Sequence, residues 1–177
     1  ALSVNAVSGY SGGGKAMIAE FENEADPNYT RAPYRIYAMA QKHKHVPEMQ
    51  RYTNLARAPI FAPSVGRYYK GMIVEVPLPL AAISKGAKIA DVHGVLAQFY
   101  KSERFVTVAS LAEARALKTL DPEGSNGTNQ LKLFVFGHDE EARLVALLDN
   151  LGKGASGAAV QNLNIVLGLD EGAGAPY

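Results

Sequence analysis

Leu131-Lys132-Leu133-Phe134-Val135-Phe136-Gly137-His138-Asp139-Glu140-Glu141-Ala142-Arg143-Leu144-Val145-Ala146-Leu147-Leu148 decides the class of fold. Two apolar runs, Leu131–Phe136 and Arg143–Leu148, flank a short polar turn around His138, which predicts an antiparallel strand pair. Upstream, Leu2–Val7 alternates apolar and polar residues as a strand does. Met72–Leu78 reads as a strand ended or edged by Pro77, and Phe105–Val108 as a further short strand. Helices are predicted at Ala16–Glu22, with Met17, Ile18 and Phe21 in an apolar stripe, and at Ile89–Lys101; Leu111–Leu120 is mixed and fits neither pattern. Strands outnumber helices and are joined by hairpins as well as by helices, so the expected class is α+β.

Immediately after the hairpin comes Asp149-Asn150-Leu151-Gly152-Lys153-Gly154-Ala155-Ser156-Gly157-Ala158-Ala159-Val160-Gln161-Asn162-Leu163-Asn164. A glycine-broken turn leads into a helix running to about Leu167, with Ser156 placed to cap it and Val160, Leu163 and Leu167 on one face. Free N–H groups at such a helix start would suit an anionic or strongly polar ligand. Gln161 and Asn162 lie off the apolar stripe and suggest hydrogen bonding to something outside the domain, whereas Asn164 reads as plain solvated surface. Glu171–Tyr177 is expected to be a disordered tail, leaving residues 1–170 as one domain.

Composition sets the outer bounds. The chain has 177 residues, 47% of them hydrophobic, and a net charge of +1, enough for one real core and too balanced for a nucleic-acid binder or a polybasic membrane binder. No apolar run is long enough to cross a bilayer, and the start lacks the features of a signal peptide, so a cytoplasmic location is expected. There is no cysteine, hence no disulfide, thiolate ligand or thiol nucleophile. The first strand begins at the first residue with no methionine and no lead-in, as in a piece of a longer chain.

Two stretches carry chemistry. Ser8-Gly9-Tyr10-Ser11-Gly12-Gly13-Gly14-Lys15 follows a strand and precedes a helix. From Gly9 it satisfies G-x-x-x-x-G-K, but Ala16 stands where a P-loop needs a hydroxyl for magnesium, so nucleoside triphosphate hydrolysis is excluded. Convergent backbone N–H groups beside Lys15 and a flexible turn remain as alternatives. His43-Lys44-His45-Val46-Pro47-Glu48 puts two histidines on one side of an extended segment, with Pro47 as the first residue of a helix. A histidine beside a helix N-terminus tends to stay neutral, and Glu48 could orient its ring. Solvated surface, a metal site of His43, His45 and Glu48 short of further ligands, and acid/base catalysis all fit this cluster. His93, in a helix, and His138, in a turn, look incidental. Asn126-Gly127-Thr128 matches a glycosylation sequon by coincidence.

Three long motifs in order, Val4–Lys15, His43–Met49 and Asp149–Asn164, resemble N-acetyl-gamma-glutamyl-phosphate reductase of the shorter type. Ala58–Gly66 and Lys132–Gly137 extend the likeness. The resemblance implies reduction of N-acetyl-glutamyl phosphate to the semialdehyde with NADPH in arginine biosynthesis. It also implies a mixed, mainly antiparallel sheet with helices on one face, as in the C-terminal domain of glyceraldehyde-3-phosphate and semialdehyde dehydrogenases. It covers only the catalytic and dimerisation domain: the Rossmann half and the nucleophilic cysteine have no counterpart, so the chain alone is expected to be inactive. By the same resemblance, His45 would be the acid/base, with His43 and Glu48 beside it. Lys15, Tyr37, Ser8 and Gly9 would line the substrate site. Ser11, Gly12, Gly154, Ser156 and Asn162 would face the cofactor, with no metal, and the helix 156–167 would pack toward the Rossmann half. A homo-oligomer, dimer or tetramer, is implied. A related acyl-phosphate reductase of lysine biosynthesis, acting on an aminoadipyl substrate, and a non-catalytic dimerisation module are the alternatives. Aspartate-semialdehyde dehydrogenase is a more distant fit.

Overall fold

The computed structural model describes residues 2–175. Seven strands form one mixed sheet: β1 (Ser3–Gly9), β2 (Tyr34–Ile36), β3 (Ile60–Gly66), β4 (Met72–Pro79), β5 (Val106–Val108), β6 (Leu131–Gly137) and β7 (Glu141–Leu148). Their order is β2-β3-β1-β4-β7-β6-β5. The β1–β3 and β5–β6 pairs are parallel and the other four antiparallel. The helices are α1 (Gly14–Glu22), α2 (His45–Tyr52), α3 (Ile89–Phe99), α4 (Leu111–Ala116) and α5 (Gly157–Val166).

The predicted hairpin is β6 with β7, which pair from Leu131↔Leu148 to Gly137↔Ala142. It closes through Gly137, whose φ of +121° is a conformation that side chains rarely adopt, and the His138 N–H donates to Glu141 O at 3.0 Å. Alternation along the strands gives the sheet two unlike faces. On one, Val4, Ala6 and Phe61 meet Val46 and Met49 of α2, and Leu80, Val135 and Ala142 meet Ile89, Val92 and Leu96 of α3. On the other, Phe134, Val145 and Leu147 are covered by Ala109 and Leu120. Toward β1, β3 and β2 that second face is bare: the register places Tyr34, Ile36 and Ile60 there, each more than half exposed.

Strand β3 has no counterpart among the predicted elements because Pro63 sits in its middle. The structure shows why this is tolerated. Past Ile36, β2 turns away, and the Tyr37 N–H donates to the Pro63 carbonyl, so no partner strand asks Pro63 for a donor. Pro77 likewise does not end β4, which continues along β7 to Pro79, beyond the last β1 partner at Glu75. The mixed segment resolves into α4, capped by Ser110 Oγ, which accepts from the Glu113 N–H at 3.1 Å.

The final helix corrects two expectations. Asn164 is buried, donating to the carbonyls of Glu171 and Ala173 at 3.1 and 2.9 Å, whereas Leu163, Ile165, Val166 and Leu167 are exposed. The helix turns its amide side inward and its apolar side outward. Gln161 also points inward, accepting from Lys153 Nζ at 2.5 Å and donating to Glu171 at 2.6 Å, so only Asn162 of the three amides is exposed. Residues 171–175, expected to be part of a disordered tail, form a turn docked on this side; Pro176 and Tyr177 lie outside the described residues.

Candidate functional site

The candidate residues fall into two clusters along the β1–β3 ladder, joined by a depression that Tyr37 shares with Met17 and Val65. The first lies where β1 ends, at Ser8 and Gly9 opposite Val65 and Gly66. The glycine stretch is a 3-10 turn, Tyr10–Gly13, that runs into α1. The N–H groups of Gly9, Tyr10 and Ser11 donate to the carbonyls of Gly71, Tyr68 and Tyr69, so these three are not free to converge on an anion. A side chain at Gly9 would lie 2.5 Å from the Tyr69 carbonyl, which is why glycine is required there. Ser8 and Ser11 are buried, while Gly12 and Lys15 are exposed. Asn150 joins this turn to the chain beyond β7: its Nδ2 donates to Ser11 Oγ at 3.1 Å and its Oδ1 accepts from the Gly71 N–H at 2.7 Å.

The second cluster lies near the start of β3. The His43 ring packs between Phe61, with centroids 5.1 Å apart, Tyr37 at 5.8 Å and His45 at 4.9 Å. Helix α2 begins at His45, so Pro47 is its third residue rather than its first. The His45 backbone N–H donates to His43 Nδ1 at 3.2 Å, and His45 Nδ1 meets Glu48 Oε2 at 2.5 Å, one helical step on. Burial first, then the neighbouring His45 and Lys44, hold the His43 imidazole below its ordinary pKa, against the opposite pull of Glu48. The hydrogen bond from His45 holds the Glu48 carboxyl below the usual carboxylate range. Burial pushes the Tyr37 phenol up, keeping it a neutral donor. His43 is therefore a neutral, oriented ring, and His45 has one nitrogen tied to a carboxylate and the other left for chemistry. A depression of about 250 Å³ beside Tyr37, lined also by Met17, Glu20, Arg35, Ile36 and Val65, lies between β2 and α1. Among the described residues no group of three or more histidines and carboxylates could hold a metal ion, and no helix is long and apolar enough to cross a membrane.

A family model described as semialdehyde dehydrogenase, dimerisation domain, matches residues 1–150. The chain belongs to this family. N-acetyl-gamma-glutamyl-phosphate reductases of Brucella anthropi and Brucella ovis are 53% and 52% identical to it, over 94% of this chain and 54% of their own. The chain spans about half the length of the curated relatives it matches. Among solved structures, aspartate semialdehyde dehydrogenase II from Vibrio cholerae aligns with a TM-score of 0.64 at 18% identity, over 93% of this chain and 54% of that one. Aspartate semialdehyde dehydrogenase from Francisella tularensis gives 0.60 at 15% identity, over 93% and 58%. These last two likenesses speak to the fold, and the mixed sheet with helices is the fold of this dimerisation domain.

Within the dimerisation domain, the turn after β7 corrects the expected anion site. Asp149, 1% exposed, turns its own carboxylate into that place. It accepts from the N–H groups of Gly127, Leu151 and Gly152 at 2.8, 2.9 and 3.1 Å and pairs with Lys70 Nζ at 3.1 Å. The N–H groups of Gly154 and Ser156 go to the carbonyls of Asp149 and Leu151. Ser156 does not cap α5: it ends a wide turn, Gly152–Ser156, and its Oγ donates to Leu151 O at 2.8 Å. Gly154 sits against Asp149 and Asn150, close to the first cluster, while Asn162 lies apart on the outer side of α5. Asp149, Asn150 and Lys70 hold the site together in ways that no motif in the sequence announces. The only local signal is an acidic and amide pair two residues before a glycine, as in a side-chain-stabilised turn.

Proposed function

We propose that this domain is the acid/base and dimerisation half of a cytoplasmic NADPH-dependent reductase that converts N-acetyl-L-glutamyl 5-phosphate to N-acetyl-L-glutamate 5-semialdehyde and phosphate in arginine biosynthesis. The observation that carries this reading is the His45–Glu48 pair beside the neutral His43. The names of the relatives that it matches over about half their length agree with it. Glu48 fixes His45 through Nδ1, so the remaining nitrogen takes the proton of the attacking group and lends it to the oxygen that turns negative when hydride reaches the acyl carbon, the proton leaving that oxygen again as the nucleophile departs and the aldehyde forms. With no cysteine among these 177 residues, the nucleophile that opens the acyl phosphate comes from a partnering half. Lys15 and Tyr37 would hold the anionic substrate. The exposed backbone at Gly12, 3.4 Å from Asn150 Nδ2 and Ser8 Oγ when given a Cβ, suits the edge of a flat, amide-bearing ring. NADPH supplies the hydride when bound, with Ser11, Gly12 and Gly154 on its nicotinamide side. The outward apolar side of α5, with Ser156 at its start and Asn162 upon it, suits packing against a nucleotide-binding half, and the bare sheet face suits a second copy of the domain.

The test is a full-length enzyme with and without His45→Ala, assayed with the N-acetylglutamyl and the aminoadipyl acyl phosphates. We expect kcat to fall by roughly 10²–10⁴ on the first substrate while the KM for NADPH stays within about twofold. Full activity in the variant would sink the assignment. The 177-residue chain by itself should oxidise no NADPH.

A further inference from the structure

We infer that Gln41 is a positioning residue for the histidine pair, its side-chain amide standing in for a strand residue that β2 does not supply. Strand β2 pairs with β3 only from Tyr34↔Gly66 to Ile36↔Ser64, and the chain then peels away. Three residues before Ser64 on β3, the Phe61 N–H and C=O face this vacated side. Gln41 takes both: its Oε1 accepts from the Phe61 N–H at 2.9 Å and its Nε2 donates to the Phe61 carbonyl at 2.7 Å. An amide presents the same donor and acceptor as a peptide group, so one side chain continues the ladder.

The connection to the histidines is short. Gln41 closes a turn by donating its backbone N–H to Ala38 O at 3.0 Å, and both Ala38 and Gln41 have left-handed φ, +55° and +57°, which non-glycine residues rarely adopt. Such a turn persists only where its surroundings hold it, and the grip on Phe61 is that hold. Two residues on is His43, whose ring rests on the Phe61 ring and whose Nδ1 receives the His45 N–H. The clamp thus ties the chain that carries the histidines to the strand whose Phe61 ring meets His43.

This inference rests on His45 acting as the acid/base, and its test separates the two. In full-length enzyme, Gln41→Asn keeps a residue that tolerates left-handed φ but is too short to reach both groups. Gln41→Glu keeps the acceptor and loses the donor, and Gln41→Ala loses everything. We expect kcat to fall roughly tenfold or more in Q41N and Q41A and less in Q41E, with the KM for NADPH within about twofold. Ring NMR should show His43 titrating closer to an ordinary imidazole, with Tyr37, Lys44, His45 and Glu48 still around it. Wild-type kcat and an unmoved His43 titration in Q41N would overturn the inference, as would a loss of melting temperature with His43 unmoved, which marks a plain edge cap. Should Q41A not fold, Q41N and Q41E decide. If the unmodified enzyme reduces neither acyl phosphate, the proposed function falls, and the His43 titration still decides the role of Gln41.

Discussion

Asp149 shows how a single residue can fill a site that its neighbours seem to offer to a ligand. Burial pushes its carboxyl up, but three backbone N–H groups and the Lys70 ammonium more than offset this and hold it below its ordinary value of 3.8. A carboxyl depressed in the folded state stabilises the fold above its unfolded pKa, and that contribution drains away as pH falls through the lower, folded value. Asp149→Asn should therefore cost about 1–3 kcal/mol at neutral pH, read by denaturant melts, and less in strong acid, where the native carboxyl is itself protonated. An equal loss at all pH values would contradict the carboxylate's role. His43, His45 and Glu48 of the second cluster were legible in the sequence, since a histidine two before a proline and a glutamate one helical step on are local facts. Gln41 was not legible, because its partner Phe61 is twenty positions away and sits in a strand hidden by Pro63.

At the scale of elements, the hairpin, β1, β4, α1 and α3 follow from period and turn chemistry alone. Helix α5 follows from its sequence as a helix, but its leucine and valine stripe, ordinarily the buried side, faces outward. What overrides that habit is Gly157: a Cβ there would run into Asn129 Oδ1 and stand 2.8 Å from the Gly152 carbonyl, so this bare side is the one that fits the domain, and Asn164 continues it. Gly157→Ala should lower the melting temperature by an amount corresponding to about 1–3 kcal/mol. In this domain by itself, Val166→Glu, on a side chain 81% exposed, should change it by no more than about 0.5 kcal/mol. A large loss in the second variant would show that α5 packs the other way round.

For the whole molecule, the bare sheet face carries the expectation of self-association. Ile36 and Ile60, each 57% exposed, lie on it, and a groove of about 430 Å³ bounded by Val7, Ile73, Phe136 and the Glu75–Arg143 ion pair continues it. Ile36→Lys with Ile60→Lys should convert a dimer to a monomer by light scattering with the circular dichroism unchanged; a dimer that survives both lysines uses another surface.

The order of the strands has a consequence for the chain as it is made. Strand β4 is zipped to β7 along its full length, from Met72↔Leu148 to Pro79↔Glu141. A ribosome must therefore finish nearly the whole domain before the middle of the sheet can close. Until then β1, β2, β3 and β4 stand as a half-sheet with an unpaired edge, packed by α1 and α2. Slow assembly and a need for protection during synthesis follow from topology, whatever the chemistry that the finished protein performs.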